Sequence, residues 1–203
     1  FSFVQDILAG KPIKVFNHGK IKRDFTYIDD IVACISKLID KIPIANQNWD
    51  ERENDLSSSF APYKIYNIGN NSPVELMRFI TILEDQLGIK AEKIYMDMQT
   101  GDVLITYADI SDLEKDIGFR PVTSIEEGLA KFVKWFKEYY KIGLTWSSNA
   151  IEGNTLTESE TKVVIEDGLT IGGKPLRDHL EAQGHAEAFD HMLVLADKNE
   201  ITE

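Results

Sequence analysis

Arg23 is the side chain whose neighbours best equip it for chemistry. It lies in the run His18-Gly19-Lys20-Ile21-Lys22-Arg23-Asp24-Phe25-Thr26-Tyr27-Ile28-Asp29-Asp30. Phe25 and Tyr27 back it, a turn precedes it and a helix start follows. A guanidinium held at a turn edge can fork two hydrogen bonds onto a phosphate. The residues alone leave a second reading open, a turn arginine simply bathed in water.

The elements that must position Arg23 can be read on either side of it. Pro12-Ile13-Lys14-Val15-Phe16 alternates as a half-buried strand should, and Asn17-His18-Gly19 reads as a turn. Asp24-Phe25-Thr26-Tyr27 reads as a second short strand. An apolar-periodic helix follows from about Asp29 to Lys41, with Asp29 or Asp30 as its N-cap.

Other chemistry-bearing types are weaker. Cys34 falls in that helix's apolar stripe and reads as a buried, inert thiol, and one cysteine makes no internal disulfide. His179, His185 and His191 recur every six residues, about 240° apart around a helix, so they cannot face one metal and read as solvated. Gly172-Gly173-Lys174 lacks the glycine spacing and the Ser or Thr of a phosphate loop.

With 203 residues the chain suits one or two domains. No apolar run approaches the ~18 residues of a membrane span, and no basic-then-apolar leader is read. A net charge of −12 argues against nucleic acid and anionic membranes as partners. Residues 144–203 hold 12 Asp+Glu and 4 Lys+Arg, a balance of −8, which marks a change of module near residue 143. A reducing cytoplasm is the expected location.

Further along, 1–8 reads as a helix end stopped by Ala9-Gly10, and 43–62 as a long polar loop. Tyr63–Ile68 and Ile94–Met96 read as strands. Ser72-Pro73-Val74-Glu75 reads as a capped start for a helix to Leu87, closed by Gly88. Asp109–Ile117 is a short helix before Gly118. Thr123-Ser124 opens a helix with the stripe Ile125, Leu129, Phe132, Val133, Phe136 and Tyr140, closed by Gly143. Trp146–Ile151, Glu158–Glu166 with a capping box at Thr157-Glu158-Ser159-Glu160, and Leu176–Ala196 complete a helical tail.

Lys11-Pro12-Ile13 through Asp29-Asp30, Tyr66-Asn67-Ile68-Gly69-Asn70-Asn71, Gln99-Thr100-Gly101-Asp102-Val103 and Thr106-Tyr107-Ala108-Asp109 resemble the nucleotide-sugar epimerase and dehydratase group of extended short-chain dehydrogenases. The UDP-glucuronate 4-epimerases are the nearest likeness, over about 1–142, as the C-terminal, substrate-binding part only. The resemblance implies an α/β, incomplete Rossmann-type fold there. It implies Arg23 on a UDP diphosphate, Asp102 near the ribose and Phe16 beside the uracil. Leu104-Ile105 departs from the Pro-Glu-like pair of relatives. The family uses NAD, but its glycine-rich turn and Tyr-x-x-x-Lys pair do not occur in the 203 residues. Alone, the chain is expected to be inactive, to bind no cofactor or metal, and to hold UDP-sugars weakly.

The tail resembles something else. Ser147-Ser148-Asn149-Ala150-Ile151-Glu152-Gly153-Asn154-Thr155, with Leu169–Arg177 and His185–Phe189, is similar to the N-terminal, inhibitory-helix part of Fic-domain AMP-transferases. Ser148, Glu152 and Gly153 match that motif, and the catalytic histidine loop is absent. The resemblance implies an all-α segment over 145–203, domains at 1–142 and 143–203, and a fusion of two enzyme parts. The implied partners are a missing cofactor-binding half, a Fic core in trans, or further copies of the chain.

Overall fold

The computed structural model describes residues 1–50, 52 and 56–196. The chain divides into two compact units, 1–130 and 131–203. The first mixes helices with short strands and the second is helical, as expected from the sequence.

In the first unit, α1 (Ser2–Leu8) buries Val4 and Ile7 and leads through Gly10 into β1 (Ile13–Val15). Both apolar residues of β1 are fully buried. β1 pairs in parallel with β4 (Lys93–Tyr95), Ile13 opposite Lys93 and Val15 opposite Tyr95. A 3-10 turn, Phe16–Gly19, follows β1. β2 (Lys22–Arg23) pairs antiparallel with β3 (Val74–Glu75) and accepts a parallel bridge from Ile105 to Lys22. α3 (Leu76–Leu87) buries Leu76, Ile80, Leu83 and Leu87, and its Phe79 stacks on Phe25 at 4.3 Å. Gly88 ends it in the left-handed conformation.

A second core forms on the inner face of α2 (Ile28–Leu38). Cys34 lies with Ile110, Leu113 of α4 (Ser111–Ile117) and Phe119, and Tyr66, Ile68 and Leu38 pack against them. Cys34 is fully buried, and that burial pushes its thiol pKa up.

In the second unit, α5 (Ile125–Ile151, whose first turns belong to the first unit) is followed by α6 (Glu158–Asp167) and α7 (Leu176–Ala196). The capping box forms in full. Thr157 accepts from the Glu160 N–H, and the Glu160 carboxylate accepts from the Thr157 N–H at 2.7 Å. Leu156, Val164, Ala182 and Ile171 make a small core.

Several expectations are corrected. Residues 24–27 and 63–68 form no ladder, apart from an isolated Ser58–Lys64 bridge; the strand beside Arg23 is Lys22–Arg23 itself. Ser72 caps nothing, because Val74–Glu75 is drawn into pairing with β2 and α3 begins two residues later. Neither Asp29 nor Asp30 caps α2. Tyr27 holds that place, and buried Asp30 accepts the N–H groups of Val122 and Thr123 at 3.4 and 3.1 Å. Gly143 does not close a helix, since α5 runs through it to Ile151. His179 is not solvated, and His185 is half-buried with a side-chain partner. His179 is buried and accepts the Ile171 N–H at 2.7 Å, and His185 Nδ1 meets the buried Thr145 hydroxyl at 3.0 Å. Of the polar loop, Glu51, Glu53, Asn54 and Asp55 lie outside the described residues.

Candidate functional site

Arg23 ends the two-residue strand β2, so its backbone is fixed on both sides. Val74 lies opposite it in β3, while the Lys22 N–H donates to the Leu104 carbonyl at 2.8 Å and Thr106 N–H to the Lys22 carbonyl at 3.3 Å. This brings the turn at 99–103 beside the guanidinium. Asp102 closes that turn with its N–H on the Gln99 carbonyl at 3.1 Å, and its Oδ1 accepts the Val103 N–H at 2.8 Å. The carboxylate is thus aimed before it meets the arginine.

Arg23 Nη2 donates to Asp102 Oδ1 at 2.6 Å, and Nη1 donates to the Lys22 and Val103 carbonyls, both at 2.9 Å. Both side chains are about a quarter exposed, at 23% and 28%. Among the described residues, the Arg23 Nε–H and the Asp102 Oδ2 have no partner. An arginine pinned on one edge with donors left on another can receive an anion without reorganising. Phe16 stands half-buried at the exit of β1, in the other sheet; no hydrogen bond or ring contact ties it to Arg23 or Asp102.

Sequence reasoning missed Asp24, the residue that shapes the ground beside Arg23. Its Oδ2 accepts the N–H groups of Asn71 and Ala108, both at 3.0 Å, and its Oδ1 that of Ser72 at 3.2 Å. One carboxylate therefore ties the 69–72 turn and the 106–108 segment to β2. Its partners lie far off in sequence, and no local pattern announces them. Beside it, an open cleft of about 310 Å³ carries the hydroxyls of Thr26, Thr106 and Tyr107 and the Asn67 amide.

The second candidate, Ser148–Gly153, ends α5. Ser148 is half-buried and Glu152 exposed, and Gly153 turns the chain at φ 91°. The next residues, also missed, fasten that turn to α7. Asn154 Nδ2 donates to the Asp178 carbonyl at 2.9 Å and to Glu181 at 3.2 Å, and Thr155 N–H and O–H both donate to Asp178 Oδ2, at 2.8 and 2.6 Å. The Thr155 hydroxyl and N–H hold the Asp178 carboxyl below the usual carboxylate range.

The described residues do not fit a dinucleotide. Of the two parallel strands, β1 feeds a 3-10 turn and β4 the 96–101 loop, and neither reaches a helix N-terminus through a glycine-rich turn. No helix among the described residues is long and apolar enough to cross a membrane.

Solved structures of Rossmann-like epimerases and dehydratases superpose on this chain. One is the UDP-glucose 4-epimerase of Thermotoga maritima with UDP-glucose, with a TM-score of 0.54 at 24% identity over 68% of this chain and 39% of that one. Another is the UDP-glucuronic acid 4-epimerase of Bacillus cereus in complex with NAD, with a TM-score of 0.51 at 25% identity over 68% of this chain and 37% of that one.

The model of the NAD dependent epimerase/dehydratase family matches residues 1–69. Protein CapI of Staphylococcus aureus is 52% identical over 141 residues, covering 70% of this chain and 42% of that protein. The probable UDP-glucuronate 4-epimerase of Rhizobium meliloti is 41% identical over 143 residues, covering 70% and 42%. The chain thus spans about two fifths of the length of these relatives.

Proposed function

We propose that residues 1–142 form the substrate-binding part of an NAD-dependent nucleotide-sugar epimerase acting on a UDP-glucuronate-like sugar. Arg23 takes the diphosphate, Asp102 a ribose hydroxyl, and Phe16 flanks the base. The observation that supports this is the Arg23–Asp102 pair, which joins residues 79 apart and leaves donors toward an anion. Titrating UDP-glucuronate into the 15N-labelled chain tests it. Saturable shifts are expected at the Arg23 Nε–H and at the backbone amides of 102–106 beside it, and those amide shifts should be lost in Arg23→Ala and weakened in Arg23→Lys. No shift at millimolar ligand sinks the assignment. Turnover of UDP-glucuronate with NAD by this chain alone would refute its being a part-enzyme.

The cofactor site belongs in this reading to a further polypeptide segment, in the same compartment, which we take to be the cytoplasm. α2 supports a missing neighbour: opposite its buried Cys34 face, Ile28, Val32, Ile35 and Ile39 stand 61%, 55%, 48% and 76% exposed. A helix whose apolar stripe is wider than its neighbours cover fits against a larger core.

A second reading concerns the tail, taken as a Fic-like N-terminal segment fused to the first part and acting on a Fic core in trans through Ser148, Glu152 and Gly153. The fastening of Asn154 and Thr155 to α7, which presents Glu152 at an ordered helix end, favours it. Pull-down of a Fic core, abolished by Glu152→Ala, is the expected result; no binding at micromolar concentrations removes the reading.

A further inference from the structure

The cleft between α5 and α6 lies wholly within the second unit and encloses about 340 Å³, at the small end of the ~300–1,000 Å³ typical of ligand sites. One wall is aromatic. Trp135 and Tyr139 form it, stacked along α5 with centroids 5.4 Å apart and planes 23° from parallel, and Phe132 continues the stack beyond the cleft at 6.0 Å and 29° from Trp135. Trp135 and Tyr139 are nonetheless about half exposed, leaving a large ring surface that no described residue covers.

The rim is acidic, with Glu138, Glu158 and Glu166 against one ammonium, Lys162. Two of these carboxylates are occupied. Glu138 pairs with Lys141 at 2.8 Å and Glu166 with Lys162 at 3.8 Å. Glu158 has no cation among the described residues.

We infer that this cleft receives an arginine side chain presented by a basic peptide segment of a partner. A guanidinium is flat enough to lie on the indole or phenol ring and can fork onto the one carboxylate left unpaired, which a compact ammonium cannot do as well. The excess of carboxylates repels the nucleotides and phosphates that Arg23 would attract, so the two sites take opposite charges. The cleft is partly open to solvent, so a side chain can enter while the rest of its peptide stays outside. The chain's net charge of −12 steers basic partners toward it.

The test uses the intact 15N-labelled chain and the Trp135 indole N–H signal, assigned by loss in Trp135→Phe. The probe is acetyl-Gly-Arg-Arg-Gly-amide, compared with the same peptide carrying citrulline and with free arginine amide. The expected result is a saturable shift with the arginine peptide, screened by salt and weakened about tenfold by Glu158→Gln. Tyr139→Leu, which keeps the helix but removes the ring, should weaken it as well. An equal response to the citrulline peptide overturns the cation assignment. An equal affinity for free arginine amide overturns the peptide as occupant. Absence of any shift at millimolar peptide, in a chain whose spectrum shows it folded, overturns both.

Discussion

Gly69 and Asp24 share a space that only a missing side chain keeps open. A Cβ on Gly69 would lie 2.9 Å from Asp24 Oδ2 and 2.4 Å from the Ala108 Cβ. The carboxylate reaches the Asn71, Ser72 and Ala108 N–H groups through that gap. Gly69→Ala should therefore cost about 1–3 kcal/mol by overpacking. It should also disturb the Arg23 edge, because Asp24 adjoins it. Urea denaturation checks this, and a loss within experimental error would show that the turn relaxes freely.

Stability should fall toward both ends of the pH scale for separate reasons. Burial raises the pKa of Glu84, but Lys93, the Ala91 N–H and Lys90 outweigh it and hold the carboxyl below its ordinary value. Its contribution is present above the unfolded pKa of about 4.5 and is lost as pH falls through the lower folded value. Burial, and then the bond from the phenol to Asp116, push Tyr66 up to about 12. Its contribution holds below pH 10 and fades as pH rises from there toward 12. Denaturation of Glu84→Gln and Tyr66→Phe across pH should flatten the acid and alkaline limbs respectively. At neutral pH, Glu84→Gln should cost roughly 2 kcal/mol.

The apolar outer face of α2 should make this chain self-associate at micromolar concentration. Val32→Glu together with Ile39→Glu should shift light scattering toward a monomer without altering the circular dichroism spectrum, since both side chains point away from Cys34. A monodisperse monomer before mutation would contradict the exposed stripe.

Asp178→Asn should loosen the turn after α5, because the Thr155 N–H and O–H lose a charged acceptor. Amide exchange at 153–157 should rise by about tenfold, while protection in the middle of α6 stays as it was. Faster exchange throughout α6 would mean that Asp178 supports the whole unit.

Local patterns were legible where local forces decide. The Thr157–Glu160 capping box closed because both partners lie within one turn. Gly143 carried a valid stop signal, but a helical glycine costs only about 1 kcal/mol. The burial of Ile142 and the bond from buried Thr145 to His185 outweigh that. Ser72-Pro73 likewise lost to the pairing of Val74 with Arg23. Arg23 was visible through its neighbours, and Asp102 only through likeness to a family. Asp24 and Asp30 bind backbone groups 47 to 93 residues away, and no window of sequence contains both partners.

The parallel pairing of Ile13 with Lys93 has a consequence in time. β1 leaves the ribosome some 80 residues before its partner. At about 5–20 residues per second the nascent strand waits on the order of 4–16 s with its ladder unmade. Unit 2 closes over much shorter spans, such as the 24 residues between Asn154 and Asp178. During synthesis, then, the first unit depends most on chaperones, and slowed translation across 14–92 should lower its yield while the helical end stays indifferent to pace.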